Sequence, residues 1–364
     1  MTNSYVSRPS GRRASRHTGS PSWVRPTIIG SLLVGATLAL AAGVNNVLAR
    51  EAEHAHPPKG RFIEVDGVQL HYVERGSGAP VVLIHGNGAS SDEFLSSGLV
   101  DILAKNYRVI VFDRPGYGFS ERPRGTIWTA ERQAELIYHA LVKLNAQPAT
   151  IFGHSWGTLV ALALAERWPH GVSALTLASG YFFPSARMDV VVMSPPALPV
   201  VGTLSAATMA PLISRMMWRS LVRKIFAPAP VPAKFHRYPK ELAIRPSQLQ
   251  ASAGDSALMI PAASKLQHAY QNLTMPVSII AGGGDRVANI DKQSARLHAL
   301  LRDSHFVKLP GVGHMVHQTE PHAVAAAIDW AAQQAESAMS PKMTAGFDTP
   351  TREGTGTAQG RVVS

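Results

Sequence analysis

Gly153-His154-Ser155-Trp156-Gly157 stands between an apolar run and a helix-like run. A serine at a strand-to-helix junction is held on a sharp turn with its hydroxyl clear of the sheet, and flanking glycines let neighbouring backbone come close. A serine hydroxyl is a weak nucleophile at neutral pH, so the chemistry also demands a base and a carboxylate that fixes the base's tautomer. Asp285 follows Gly282-Gly283-Gly284 at the end of one apolar run, and His314 closes Pro310-Gly311-Val312-Gly313-His314 at the end of another. Ser155, Asp285 and His314, in that order and each past a strand, are the parts of a nucleophilic acyl transfer. Such a reaction needs donors for a developing oxyanion. The backbone N–H of Trp156 is one candidate; the N–H of Asn87, in His85-Gly86-Asn87-Gly88, is the other. His85, His154, His298, His305, His317 and His322 read as packing or surface residues.

Those loops need a scaffold. Residues 61–65 and 68–74 alternate apolar and polar side chains around Asp66-Gly67, the pattern of a tight hairpin. Residues 81–84, 109–112, 150–152, 174–177, 277–281 and 306–309 are short β-rich runs, several of them apolar throughout, as strands covered on both faces are. Between them, residues 91–104, 129–144, 156–168, 289–301 and 321–335 carry apolar side chains at three- and four-residue spacing, and Thr129 stands where a helix cap belongs. The alternation predicts an α/β fold: a mostly parallel twisted sheet with helices on both faces, an antiparallel N-terminal hairpin, and ligands bound beyond the carboxyl ends of the strands.

Residues 181–272 break the rhythm. They are rich in Pro, Met and basic residues and show no clear strand, which predicts a helical cap inserted between two strands of the core, itself residues 61–180 and 273–336. Within the cap, Leu212, Ile213, Met216, Met217, Trp218, Leu221, Val222, Ile225 and Phe226 interleave with Arg215, Arg219, Arg223 and Lys224, an amphipathic basic helix suited to anionic lipid, to a greasy substrate or to ordinary solvated arginines.

Taken together, His85 to Gly88, the turn Asp113 to Ser120, Gly153 to Gly157, Asp285 and Gly313-His314 resemble, in order and spacing, the α/β-hydrolase fold family. The resemblance runs from about Arg61 to Glu336. It implies that Ser155 attacks an acyl carbonyl, that His314 takes and returns the proton, that Asp285 holds His314, and that water releases the acyl group, with no cofactor and no metal. The favoured expectation is a serine hydrolase of esterase or lipase type acting on a small hydrophobic ester. A carbon–carbon bond hydrolase, a cofactor-free perhydrolase (on the strength of Trp156) and a non-catalytic membrane-tethered receptor stay open. Haloalkane dehalogenases and epoxide hydrolases, similar in outline, carry Asp at the elbow, and Ser155 argues against both.

Composition narrows the partners. The 364 residues include no Cys, which excludes disulfides, thiolate metal sites and a thiol nucleophile. The net charge of +11 suggests nucleic acid until it is divided: residues 1–50 hold six Arg and no acid, whereas residues 51–336 balance 26 basic against 22 acidic groups, too even for a phosphate-binding body. Residues 27–49 are uncharged and apolar, and as a helix reach about 34 Å against a hydrocarbon core of about 30 Å. The basic leader 1–26 puts the N-terminus in the cytoplasm and the rest of the chain on the exported side. The length of the run and of its leader favours a retained membrane anchor over a signal peptide cleaved near Ala49. Residues 50–60 read as a stiff linker, and residues 337–364 as a disordered Ser-, Thr- and Gly-rich tail. No repeat is visible and the oligomeric state is open.

Overall fold

A computed structural model of the chain describes residues 1, 2, 4, 24–185 and 201–339. Most of the leader, the first part of the cap at 186–200 and most of the tail, from 340, lie outside the described residues.

The strands are β1 (Arg61–Val65), β2 (Val68–Arg75), β3 (Pro80–Ile84), β4 (Arg108–Phe112), β5 (Ala149–His154), β6 (Val172–Ala178), β7 (Val277–Gly282) and β8 (Ser304–Leu309). They form one sheet in the order β1-β2-β4-β3-β5-β6-β7-β8. β1 and β2 make the antiparallel hairpin, with Val65 facing Val68, and β2 also runs antiparallel to β4; every other pair is parallel. β3 and β4 are buried at all but their first residues, which is why 81–84 and 109–112 read as unbroken apolar runs; β5 and β7, buried along their whole length, carry only Thr150, His154 and Ser278 among their apolar residues.

The helices used below are α1 (Val24–Ala55), α2 (Ala130–Lys143), α3 (Gly157–Arg167), α4 (Val201–Ala207), α5 (Met209–Phe226), α6 (Pro246–Leu266) and α7 (Pro321–Met339). One face of the sheet is covered by α2 and α3 through Leu136, Ile137, Leu141, Leu159 and Val160; the other by Phe94, Leu99, Leu103, Val324 and Ile328. Each such side chain contributes about 1.5–3 kcal/mol on leaving water, and the two layers hold the sheet's edges in place. Thr129 caps α2 by accepting from the N–H of Arg132 at 3.2 Å.

Three local differences from the sequence reading have physical causes. The helix expected over 91–104 is two, Asp92–Ser97 and Leu99–Leu103, because Gly98 takes a left-handed φ of 83° between them. The helix expected over 289–301 begins only at Ser294, since Asn289 spends its side chain on the N–H of Lys292 and the buried Gln293 turns inward. There the Gln293 amide accepts from the N–H groups of Phe182 (2.7 Å) and Phe183 (2.9 Å) and donates to the Phe183 carbonyl, clasping the strand of chain that leaves the core for the cap. Finally, α1 runs on through Ala55 instead of stopping at a linker, because Ala52 is buried and Glu53 pairs with Arg245.

The described part of the cap is helical. α5 carries Val222 and Phe226 inward onto Phe235, Tyr238 and Met315. α1 is long and apolar enough to cross a membrane and lies near the N-terminus, the property shared by signal anchors and signal peptides.

Candidate active site

Four loops meet beyond the carboxyl ends of β3, β5, β7 and β8. Ser155 follows β5 with a φ of 52°, a left-handed conformation rare for a residue with a side chain. It holds because the elbow is packed from all sides. A Cβ on Gly153 would stand 2.7 Å from the Gly157 carbonyl, and one on Gly157 would run into the carbonyls of Ile84 and His85. The Ser155 N–H donates to the Ala178 carbonyl at 2.9 Å, tying the turn to β6.

Ser155 Oγ lies 2.9 Å from His314 Nε2, and His314 Nδ1 lies 2.8 Å from Asp285 Oδ2. The other Asp285 oxygen accepts from the N–H groups of Val287 (2.7 Å) and Ala288 (3.0 Å). Burial opposes ionisation of Asp285, but the facing His314 and these two amides outweigh it and hold the carboxyl below its ordinary range. The arrangement brings together all three side chains singled out in the sequence. Among the described residues, the backbone N–H groups of Asn87 and Trp156 donate to no protein acceptor, so both are free to serve an oxyanion. The side chain of Asn87 is occupied instead, donating to the Ser252 carbonyl and Ser256 Oγ of α6 and accepting from Tyr117.

A buried strut joins the loops from beneath. Glu93 Oε1 accepts from the N–H of Gly86 at 3.2 Å and faces His154 Nδ1 at 3.2 Å; His154 Nε2 donates to the carbonyl of His314 at 3.2 Å. One carboxylate and one imidazole thereby connect the turn after β3, the elbow and the backbone of His314. Burial disfavours the Glu93 carboxylate, yet the facing His154 outweighs this and holds it down to about 2. His317, driven to about 3 chiefly by burial, stays neutral at pH 7, and neither of its ring nitrogens has a partner among the described residues. Glu93, His154 and His317 place three ligand-type atoms within 4.8 Å of one another, a set able to hold a small cation.

A second buried centre ties cap to core. Asp255 of α6 pairs with Arg114 at 2.5 Å, both wholly buried, and also accepts from Tyr117 and Gln133. Its carbonyl accepts from the indole N–H of Trp156 at 2.9 Å, so the residue after Ser155 is moored to the cap. Arg114 belongs to the turn Asp113 to Ser120, whose Asp113 bonds His71 and the N–H groups of Ser91 and Phe119. Sequence reasoning missed Glu93, His154 and Asp255. The position of His154 beside Ser155 was the one signal available; Asp255 and Glu93 sit in unremarkable helical contexts.

Above Ser155 a cavity of about 250 Å³ is closed by the cap, with Trp218, Leu221, Val222 and Ile225 of α5 and Met259 of α6 among its walls. A mostly apolar cavity with the Ser155 hydroxyl and two open amides at its floor has the shape and lining to receive an acyl group.

The sequence profile of the alpha/beta hydrolase fold matches residues 79–321. Over 291 residues the chain is 25% identical to haloalkane dehalogenase 2 of Mycobacterium tuberculosis strain H37Rv, covering 75% of this chain and 94% of that one. Over 131 residues it is 35% identical to 2-hydroxymuconate semialdehyde hydrolase of Pseudomonas sp. strain CF600, 35% of this chain and 46% of that protein. Among solved structures, the meta-cleavage product hydrolase from Pseudomonas fluorescens IP01 superposes with a TM-score of 0.57 at 25% identity, over 75% of this chain and 98% of that one.

Proposed function

Because the chain belongs to the α/β hydrolase fold family and is a hydrolase, we propose that it cleaves an ester or related acyl bond through Ser155, with His314 as general base and acid and Asp285 as its orienting carboxylate. The observation that carries this reading is the continuous relay from Asp285 Oδ2 to Ser155 Oγ, both links under 3 Å, beneath an apolar cavity. His314 takes the proton as Ser155 Oγ bonds to the acyl carbon; the carbonyl oxygen becomes an oxyanion within reach of the amides of Asn87 and Trp156; the leaving group departs with the proton; and water repeats the sequence to free the acid.

The relatives' names cover several reactions, and the elbow residue separates them. Displacing a halide requires a nucleophile whose product water can cleave. A carboxylate gives an ester, whereas a serine oxygen would give an ether and stop, so Ser155 fits acyl chemistry and not dehalogenation. Cleavage of a carbon–carbon bond next to a carbonyl is a second reading, favoured by the match to two hydrolases of that naming type. The apolar cavity supports a hydrophobic substrate. We further propose that α1 stays in place as a membrane anchor, with the hydrolase domain on the exported side. A fluorophosphonate probe tests the core of the reading: wild type should label and Ser155→Ala should not, and a folded wild type that fails to label would remove Ser155 as the nucleophile.

A further inference from the structure

α1 is two helices in its surroundings. Leu32, Leu33, Val34 and Leu40 are bare. From residue 41 onward one stripe packs on the cap, with Asn45 and Ala52 buried. Asn45 donates to the carbonyls of Ala207 (2.9 Å) and Thr208 (2.8 Å) and accepts from Arg215 at 3.1 Å; further along, Glu53 pairs with Arg245. Asn45 therefore fixes the junction of α4 and α5 against the apolar segment itself, about 6 Å before that segment ends at Ala49. Whatever surface the bare half of α1 enters, the first turns of α5 are held at its boundary.

The outer face of α5 suits that boundary. Leu212, Ile213, Met216, Met217 and Leu221 are exposed, Met216 to 77%. Five large apolar side chains exposed within ten residues of one helix are the kind of surface that marks an interaction site. Arg219, Arg223 and Lys224 are also exposed and form no ion pair among the described residues. Apolar side chains flanked by free cations match the headgroup and upper acyl region of a bilayer that carries anionic lipid. The inner face of the same helix is a wall of the cavity over Ser155, and Leu221 belongs to both faces, lining the cavity while 43% exposed.

We propose that α5 lies in the interfacial layer of an anionic bilayer and that the cavity takes its acyl substrate from that layer, past Leu221. The docking half stands on α1 and α5 alone; the delivery half rests on the Ser155 reading above. Arg215, committed to Glu241 and Asn45, holds the helix to the cap and is not one of the lipid-facing cations.

The absence of Cys makes a direct test available. Full-length Met216→Cys carrying an environment-sensitive fluorophore is reconstituted in vesicles of phosphatidylcholine with a quarter phosphatidylglycerol, beside a control label at the exposed core position, Asp101→Cys. Lipids brominated near the headgroup should quench the label at 216 and leave the one at 101 untouched; equal accessibility of both labels to water would overturn the docking. In parallel, the double variant Met216→Glu, Met217→Glu should keep turnover of a short water-soluble ester and lose about ten-fold on a long-chain ester carried in the same vesicles. An unchanged vesicle rate would overturn delivery from the bilayer. Failure of wild-type Ser155 to label with fluorophosphonate would sink the hydrolytic reading and with it delivery, while leaving the quenching result to decide the docking.

Discussion

The floor and the roof of the cavity are built on opposite principles. At the floor, Ser155, His314 and Asp285 are joined side chain to side chain on short loops, and Glu93 and His154 connect three of the loops, leaving the amides of Asn87 and Trp156 open. At the roof, α5 presents Trp218, Val222 and Ile225 to the cavity and keeps its other side bare. Reacting groups must be held to fractions of an ångström, which buried hydrogen bonds on a rigid sheet edge accomplish. A wall that admits a greasy molecule needs only apolar surface, with no fixed partner for each atom. The two are joined by polar contacts, most of them buried: Asp255 with Arg114, the Trp156 indole on the Asp255 carbonyl, the Asn87 side-chain amide on Ser252 and Ser256, Arg245 and Gln248 with the backbone of Gly118, and the N–H of His314 on the Ile225 carbonyl at 2.9 Å.

This contrast can be broken at the floor first. Asp285→Asn keeps the shape of the relay but removes the charge that orients and stabilises His314, so kcat should fall by about 10⁴-fold with the urea midpoint little changed. Steady-state kinetics on any accepted ester checks this, and a loss under ten-fold would take Asp285 out of the mechanism. The next effect concerns the seam between the two regions. Asp255→Ala strands the buried Arg114 guanidinium and should cost about 3–5 kcal/mol of stability, read by denaturant unfolding. A cost within experimental error would show that the cap is held elsewhere.

The third prediction uses pH. His85, lowered to about 4 by burial and by the adjacent Arg114, and His317, lowered to about 3 by burial, are both neutral in the folded protein. The unfolded chain takes up those protons near pH 6.5, so the stability they contribute is present above 6.5 and is lost as the pH falls towards 4 and 3. Between pH 6.5 and 5 each should remove about 2 kcal/mol. His317→Gln should flatten that slope, as measured by urea unfolding at the two pH values, and an equal slope in the variant would exclude His317 as its source.

Most of the floor was legible in the sequence, for a physical reason. A strand covered on both faces is mostly apolar, so residues 81–84 and, with one hydroxyl each, 150–152 and 277–281 mark themselves, and a glycine-rich loop directly after such a run marks the sheet edge. Ser155 and Asp285 were readable because each follows one of those runs, and His314 because a glycine-rich loop carries it past the half-buried edge strand at 306–309. Glu93 and Asp255 were not, since their meaning depends on partners distant in sequence: Asp255 is 141 residues from Arg114, and nothing in the helix around it differs from a solvated acid. The cap's amphipathic helix was visible as a pattern. That pattern fits a lipid face, a substrate cover and an ordinary surface alike, and only the bond of Asn45 to the start of the helix ties it to the apolar segment of α1. The interior glycine at 98 is a smaller case: apolar spacing continues across it, and only its left-handed backbone reveals the break.

The Gln293 clasp at Phe182 and Phe183 has a consequence for motion. With both amides and a carbonyl gripped by one buried side chain, the chain leaving β6 has no freedom to pivot where it departs. A displacement of the roof would therefore not be passed down this connection to β6; it would reach the floor through the bonds that tie Asp255 to Trp156 and Ile225 to His314.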